Sequence, residues 1–80
     1  MVEQVFKLSF KNRAAVLSGG ACGCYFCGHS FLPNDIREWT DGGQTALCPK
    51  CSVDSVLSDS QGVPLSEEFM KKAHRYWFAG

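Results

Sequence analysis

Neither sign of charge is in excess in this 80-residue chain, where eight Lys and Arg are matched by eight Asp and Glu. Phosphate neutralisation needs a surplus of cations on some face, so the usual electrostatic footprint of a nucleic-acid binder is missing. No apolar run approaches the roughly 20 residues of a membrane span. Residues 1–13 scatter Lys7, Lys11 and Arg13 among the apolar side chains, so a cleaved signal peptide is not expected. Residues 14–22 only faintly imitate a lipoprotein cleavage site, because the apolar part is interrupted by Gly19 and Gly20 and falls short of a secretory core of about 7–15 residues. The expectation is a cytoplasmic protein in a reducing setting. Length is also in short supply. A chain of this size buries only about 60% of the surface it exposes when unfolded, which leaves little room for a conventional two-layer enzyme core. Internal repeats and low-complexity tracts are absent.

The composition is that of a folded protein, with 45% hydrophobic and 12% aromatic residues, and five of the eighty positions are cysteine. Four of these form two pairs, Cys24-Tyr25-Phe26-Cys27 and Cys48-Pro49-Lys50-Cys51. Two residues between thiolates let a tight turn aim both at one ion, and two such turns supply a tetrahedral Zn²⁺ site. A closed shell of four sulfurs leaves no position for water, so the expected role is one structural zinc, with iron as the alternative ion. A structural metal also answers the size problem, since it can contribute on the order of 10 kcal/mol to folding. Disulfides and a thioredoxin-like dithiol fit less well, the latter because no βαβ pattern surrounds either pair. Cys22 is the surplus thiol, two positions before Cys24, and reads as a small buried hydrophobe with a secondary reading as a competing ligand. His29 follows Cys27 by two positions and reads as a neighbour or alternative ligand of the site, and His74 as a rim residue.

Around this module the pattern predicts a small α+β zinc-bound domain spanning 1–80. An N-terminal strand and Gly-rich connector occupy 1–20, the four-cysteine zinc module 21–57 and an amphipathic helix 64–79. The strand is read from Phe6, Leu8 and Phe10 alternating with Lys7, Ser9 and Lys11. Residues 12–17 can begin a short helix that the following Ser-Gly-Gly ends. One or two helical turns are expected where Ile36 and Trp39 stand three apart. A turn follows at Asp41-Gly42-Gly43, then extended chain at residues 45–47 and a polar loop at 58–62. In the last helix Ser66 is the expected N-cap, with Glu67 and Glu68 in the first turn and Lys71, Lys72 and Arg75 later, as the helix dipole favours. Leu65 reaches Met70 as a staple, and Phe69, Ala73, Tyr76 and Trp77 form the apolar stripe. Tyr76, Trp77 and Phe78 are consecutive and cannot all face one way, so this end and Trp39 are candidates for docking a partner.

Gly28 after Cys27 suits a knuckle in which backbone N–H groups turn toward sulfur, as in zinc ribbons and rubredoxins. Ser52 holds the equivalent place after Cys51 and enters that conformation less readily. If Pro49 opens a helix, with Val53, Val56 and Leu57 at helical spacing, the core is a treble clef; if residues 53–57 form a strand, it is a zinc ribbon. The treble clef is slightly preferred.

The stretch running Ala21-Cys-Gly-Cys-Tyr-Phe-Cys27, Trp39, Thr45-Ala-Leu-Cys-Pro-Lys-Cys51 and Asp54-Ser-Val56 resembles a family of small uncharacterised bacterial proteins, some carried by phage or mobile elements. The similarity continues through Pro64, Phe69 and Tyr76-Trp77-Phe78, and implies a cytoplasmic protein with a zinc-ribbon-like core; the family has no assigned activity, so the resemblance bears on fold and metal more than on function. Ser52 departs from the glycine expected there. More distantly, the two pairs and the Asp41-Gly42-Gly43 turn look like the scaffold of HNH nucleases, without the histidines such catalysis needs. The leading expectation is therefore a non-enzymatic zinc module that binds another protein. The rivals are a nucleic-acid-binding or degenerate nuclease-related protein and a rubredoxin-like electron carrier. Charge along the chain is uneven, with Lys7, Lys11 and Arg13 against Glu3 in residues 1–20, and five acidic groups against Arg37 and Lys50 in residues 21–62. Three cations usually make a solvated face, because phosphate tracking uses more contacts.

Overall fold

A computed structural model describes residues 2–78. Its N-terminus is helical, which corrects the strand expected there. A 3-10 turn at Val2–Gln4 runs into α1 (Val5–Leu8), and α2 (Arg13–Ser18) follows in the place anticipated for a short helix. The alternation of Phe6, Leu8 and Phe10 is misleading because the residues that face inward are Val2, Val5, Leu8 and Ser9, at spacings of three, three and one. Phe6 and Phe10 lie one turn apart on the outside, 60% and 53% exposed. Trp77 holds this segment in place, its Nε1–H donating to the Val2 carbonyl at 2.9 Å while its ring stacks on Phe6 with centroids 5.1 Å apart.

The centre of the molecule is a three-stranded antiparallel sheet in the order β2-β1-β5, from β1 (Cys22–Cys24), β2 (Ser30–Phe31) and β5 (Val56–Ser58). Cys22 pairs with Phe31 on one side and with Ser58 on the other, and Cys24 pairs with Val56. Side chains alternate across a strand, so Cys22, Cys24 and Val56 enter one apolar cluster with Val16, Phe31, Ile36, Ala46 and Cys48. Leu57 enters a second cluster with Val5, Tyr25, Val63, Met70 and Ala73. Gly23 points at this second cluster, and a Cβ there would sit 2.9 Å from Met70 Cε. A larger residue there would require the flexible end of Met70 to shift.

That helix, α3 (Glu67–Trp77), starts where expected, Ser66 Oγ accepting from the Phe69 amide at 3.2 Å. Met70 and Ala73 are its buried positions and Phe69 is half-buried, whereas Tyr76 is 55% exposed, so the inward stripe is narrower than the sequence indicates. The helix ends at Trp77, and Ala79, included in the expected helix, lies outside the described residues.

A second, two-stranded sheet pairs β3 (Trp39–Thr40) with β4 (Thr45–Ala46) around the Asp41-Gly42-Gly43 turn, all three of which take positive φ. The helical turns expected to join Ile36 to Trp39 reduce to one 3-10 turn at Pro33–Asp35. Ile36 is already extended, and the hairpin, rather than a helix face, brings Trp39 against Ile36's cluster. Residues 58–62 are more ordered than a polar loop. Ser58 accepts from the Ser60 amide while Gln61 Oε1 accepts from the Ser58 amide, a capping box around a 3-10 turn at Asp59–Gln61.

Candidate metal centre

The four paired cysteines converge between the two sheets. Their sulfurs lie within 4.8 Å of one another, with Cys24 Sγ 3.6 Å from Cys51 Sγ and Cys27 Sγ 3.7 Å from Cys48 Sγ. A disulfide would put sulfurs about 2.05 Å apart, whereas a tetrahedron of metal–sulfur bonds near 2.3 Å has edges of about 3.8 Å. The donor set therefore fits a tetrahedral ion, and all the cysteines are free thiols.

The two pairs sit in equivalent knuckles. The Gly28 amide donates to the Cys24 carbonyl at 2.8 Å and the Ser52 amide to the Cys48 carbonyl at 2.9 Å. Each turn is then closed from the other side, the Cys24 amide donating to the His29 carbonyl and the Cys48 amide to the Val53 carbonyl, both at 3.0 Å. Amides point at sulfur from within each turn, that of Cys27 at Cys24 Sγ (3.5 Å) and that of Lys50 at Cys48 Sγ (3.4 Å). Such N–H groups offset the charge that accumulates when several thiolates meet. The first cysteine of each pair is buried and the second half-buried.

Gly28 has φ of 81° and Ser52 has φ of 64°, so serine does enter the left-handed region that the knuckle demands. The second knuckle keeps the shape of the first at a cost of about 1 kcal/mol, because a Cβ is crowded in that conformation. Ser52→Gly is expected to raise stability by about 0.5–1 kcal/mol without altering metal content. Gly28→Ala should lower it by about 1 kcal/mol, since a Cβ at Gly28 meets nothing within 4 Å and only the backbone conformation is at issue. Urea unfolding of the metal-loaded proteins measures both; equal shifts in one direction would contradict this account of the knuckles.

No helix opens at the second pair. Residues 49–51 form a turn, and Val56 and Leu57 belong to β5 instead of to a helix opened by Pro49. That corrects the helical version of the core. The strand wins because Val56 and Leu57 must face opposite clusters, which a period of two achieves and a helical spacing of one does not.

Cys22 lies outside the group of four. It is 1% exposed beside β5, and burial pushes its thiol up to about 11, so it stays protonated at neutral pH. Cys22→Ala should therefore keep the full metal content and lose about 1 kcal/mol of packing, whereas loss of metal from this variant would make Cys22 a ligand. His29 is exposed and stacks on Phe31 with centroids 5.8 Å apart, outside the cluster of donors. His74 packs against the first knuckle from α3, its Nδ1 3.2 Å from the Tyr25 carbonyl oxygen.

Two contributors are not apparent from the chain. Ser55, 1% exposed, places its Oγ 3.0 Å from Cys24 Sγ. Burial raises the Cys24 thiol above its ordinary value and the Ser55 hydroxyl acts in the opposite direction. Asn12, also buried, donates from Nδ2 to the Val56 carbonyl at 2.8 Å and accepts from the Ala46 amide at 3.2 Å, which ties β5 to β4 on either side of the second knuckle. No spacing rule relates a lone Ser or Asn to sulfurs or strands so distant in sequence.

The surface candidates separate. Trp39 is half-buried under the Arg13 guanidinium, 4.6 Å from the ring centroid, and so belongs to the fold. Tyr76, Trp77 and Phe78 do reach the surface, and Trp77 and Phe78 meet aromatics that are not among the docking candidates. Phe26, outward from the first knuckle and 41% exposed, sets its ring against the edge of Phe78 at 4.8 Å. Phe6, Phe10, Trp77 and Phe78, with Ser9, Tyr25 and Asp54, line a cavity of about 140 Å³. Among the described residues no helix is long and apolar enough to cross a membrane. No family model, curated protein or solved structure matches this chain.

Proposed function

We propose that the chain is a non-enzymatic module in which one zinc ion, held by Cys24, Cys27, Cys48 and Cys51, stabilises a zinc-ribbon-like core whose aromatic face binds another protein. The observation that carries this reading is the exposure of Phe6, Phe10, Phe26 and Phe78 around one surface built from the N-terminal helical segment, the end of α3 and the first knuckle. So small a domain has every reason to bury such rings, and exposed apolar patches of this kind mark interaction sites. Four sulfur donors leave a metal no open position, which favours a structural role over a catalytic one. Nucleic-acid binding has less support, because Arg13 is engaged with Trp39 and the Gly43 carbonyl and Lys11 with the Phe10 ring.

The test is photo-crosslinking in the source cells, with a benzophenone side chain at position 10, which is exposed on the aromatic face, or at Arg37, which does not line it. A discrete adduct from position 10 that position 37 does not give supports the reading; indistinguishable patterns overturn it. Trp77 is a poor probe, because its hydrogen bond to Val2 makes it part of the fold. The half-buried sulfurs of Cys27 and Cys51, near the surface as electron transfer requires, favour a rubredoxin-like carrier as the second reading. Iron bound at four thiolates is coloured and zinc is not, so elemental analysis with a visible spectrum decides between them.

A further inference from the structure

We propose that Ser55 is a positioning residue of the metal centre, whose hydroxyl donates to Cys24 Sγ and makes Cys24 the ligand that yields last. This rests on the metal-site reading above. Ser55 Oγ is 3.0 Å from the sulfur, and both residues are enclosed, at 1% and 0% exposure, so water does not compete for either partner. A metal-bound thiolate has no proton to give, so the hydroxyl is the donor. The backbone holds it there, since the Tyr25 amide donates to the Ser55 carbonyl at 3.0 Å and Cys24 pairs with Val56 across the β1–β5 ladder. Cys24 thus receives a hydroxyl as well as the Cys27 amide, whereas Cys48, equally buried and at the same place in its own knuckle, has the Lys50 amide as its hydrogen-bond donor. A hydrogen bond drains charge from sulfur and fixes its direction, which weakens it as a nucleophile and retains it as a ligand. The otherwise twofold centre is made unequal in this way. Attack by electrophiles or a chelator starts at the half-buried Cys27 and Cys51, proceeds to Cys48 and ends at Cys24.

The zinc- or cobalt-loaded protein, treated with N-ethylmaleimide and mapped by peptide mass spectrometry over time, reads this order. In the wild type Cys48 is expected to react about tenfold faster than Cys24, although the two are alike in burial. Ser55→Ala should remove most of that difference and shift the sulfur-to-cobalt charge-transfer band. Ser58→Ala, which removes another buried serine hydroxyl bonded to the Ala15 carbonyl and to Ser60 instead of to a sulfur, should leave both unchanged. The inference is overturned if Cys24 reacts as fast as Cys48 in the wild type, or if the two serine variants behave alike. Failure of the wild type to bind zinc or cobalt at all would instead overturn the reading of the metal centre. If Ser55→Ala does not fold, the wild-type ratio of Cys48 to Cys24 still gives the answer.

Discussion

Cys48→Ala is expected to be unfolded at neutral pH even in excess zinc, with the far-UV spectrum and collapsed amide dispersion of a disordered chain. Cys48 stands where the two sheets meet the second knuckle, buried and 3.7 Å from Cys27 Sγ. Removing it deletes one of four donors and leaves a cavity in the cluster formed by Cys22, Cys24, Ala46 and Val56. Structural zinc contributes on the order of 10 kcal/mol, which is comparable to the entire stability of about 5–15 kcal/mol typical of a domain. The regular elements have little to substitute for it, since among the described residues the strands are two or three residues long and only α3 exceeds six. Because thiols bind metal only after losing their protons, acidification should act in the same direction as the substitution, stability falling as pH drops. A Cys48→Ala protein with native dispersion would show that the cysteines hold the fold by packing alone.

Asn12→Ala is expected to cost about 2–4 kcal/mol while the four donors remain intact. The side chain is enclosed, and its two bonds serve backbone groups that have no water to turn to, the Val56 carbonyl and the Ala46 amide. Leaving a buried donor or acceptor unpaired costs roughly 1–3 kcal/mol each, and two are orphaned at once. The Asn12 carbonyl meanwhile accepts the Val16 amide at the start of α2, a bond that alanine preserves, so the loss reports on the amide group itself. Asn12→Asp should be no better, because a carboxylate cannot donate to Val56 and its charge would be buried. Urea denaturation of the metal-loaded protein measures the change; a loss below about 0.5 kcal/mol would mean that the side chain does not link the sheets.

What the sequence makes legible here follows from how far each rule reaches. The pairing of Cys24 with Cys27 and of Cys48 with Cys51 is local, and geometry requires a turn at each, so the donors can be named from spacing. The Asp41-Gly42-Gly43 turn and the Ser66 cap are legible for the same reason, each being settled within four residues. The N-terminal segment misleads because Phe6, Leu8 and Phe10 satisfy a period of two over too few residues to distinguish it from a helix, and the deciding contact, Trp77 on Phe6 and Val2, comes from the far end of the chain. The course after Cys51 is ambiguous because β-branched residues at 53 and 56 suit either period, and pairing with β1 selects the strand. Ser55 and Asn12 act across 31 and 44 residues, where composition and periodicity carry no information.

If four cysteines hold one metal ion, the fold should stand or fall with that ion. Native mass spectrometry along a chelator titration tests both parts in one measurement. Two populations only are expected: a compact one, at low charge states, carrying one zinc ion and lacking the four thiol protons it displaces, and a metal-free one at the high charge states of an unfolded chain. A compact metal-free population, or a compact population whose mass includes no metal before chelator is added, would contradict it.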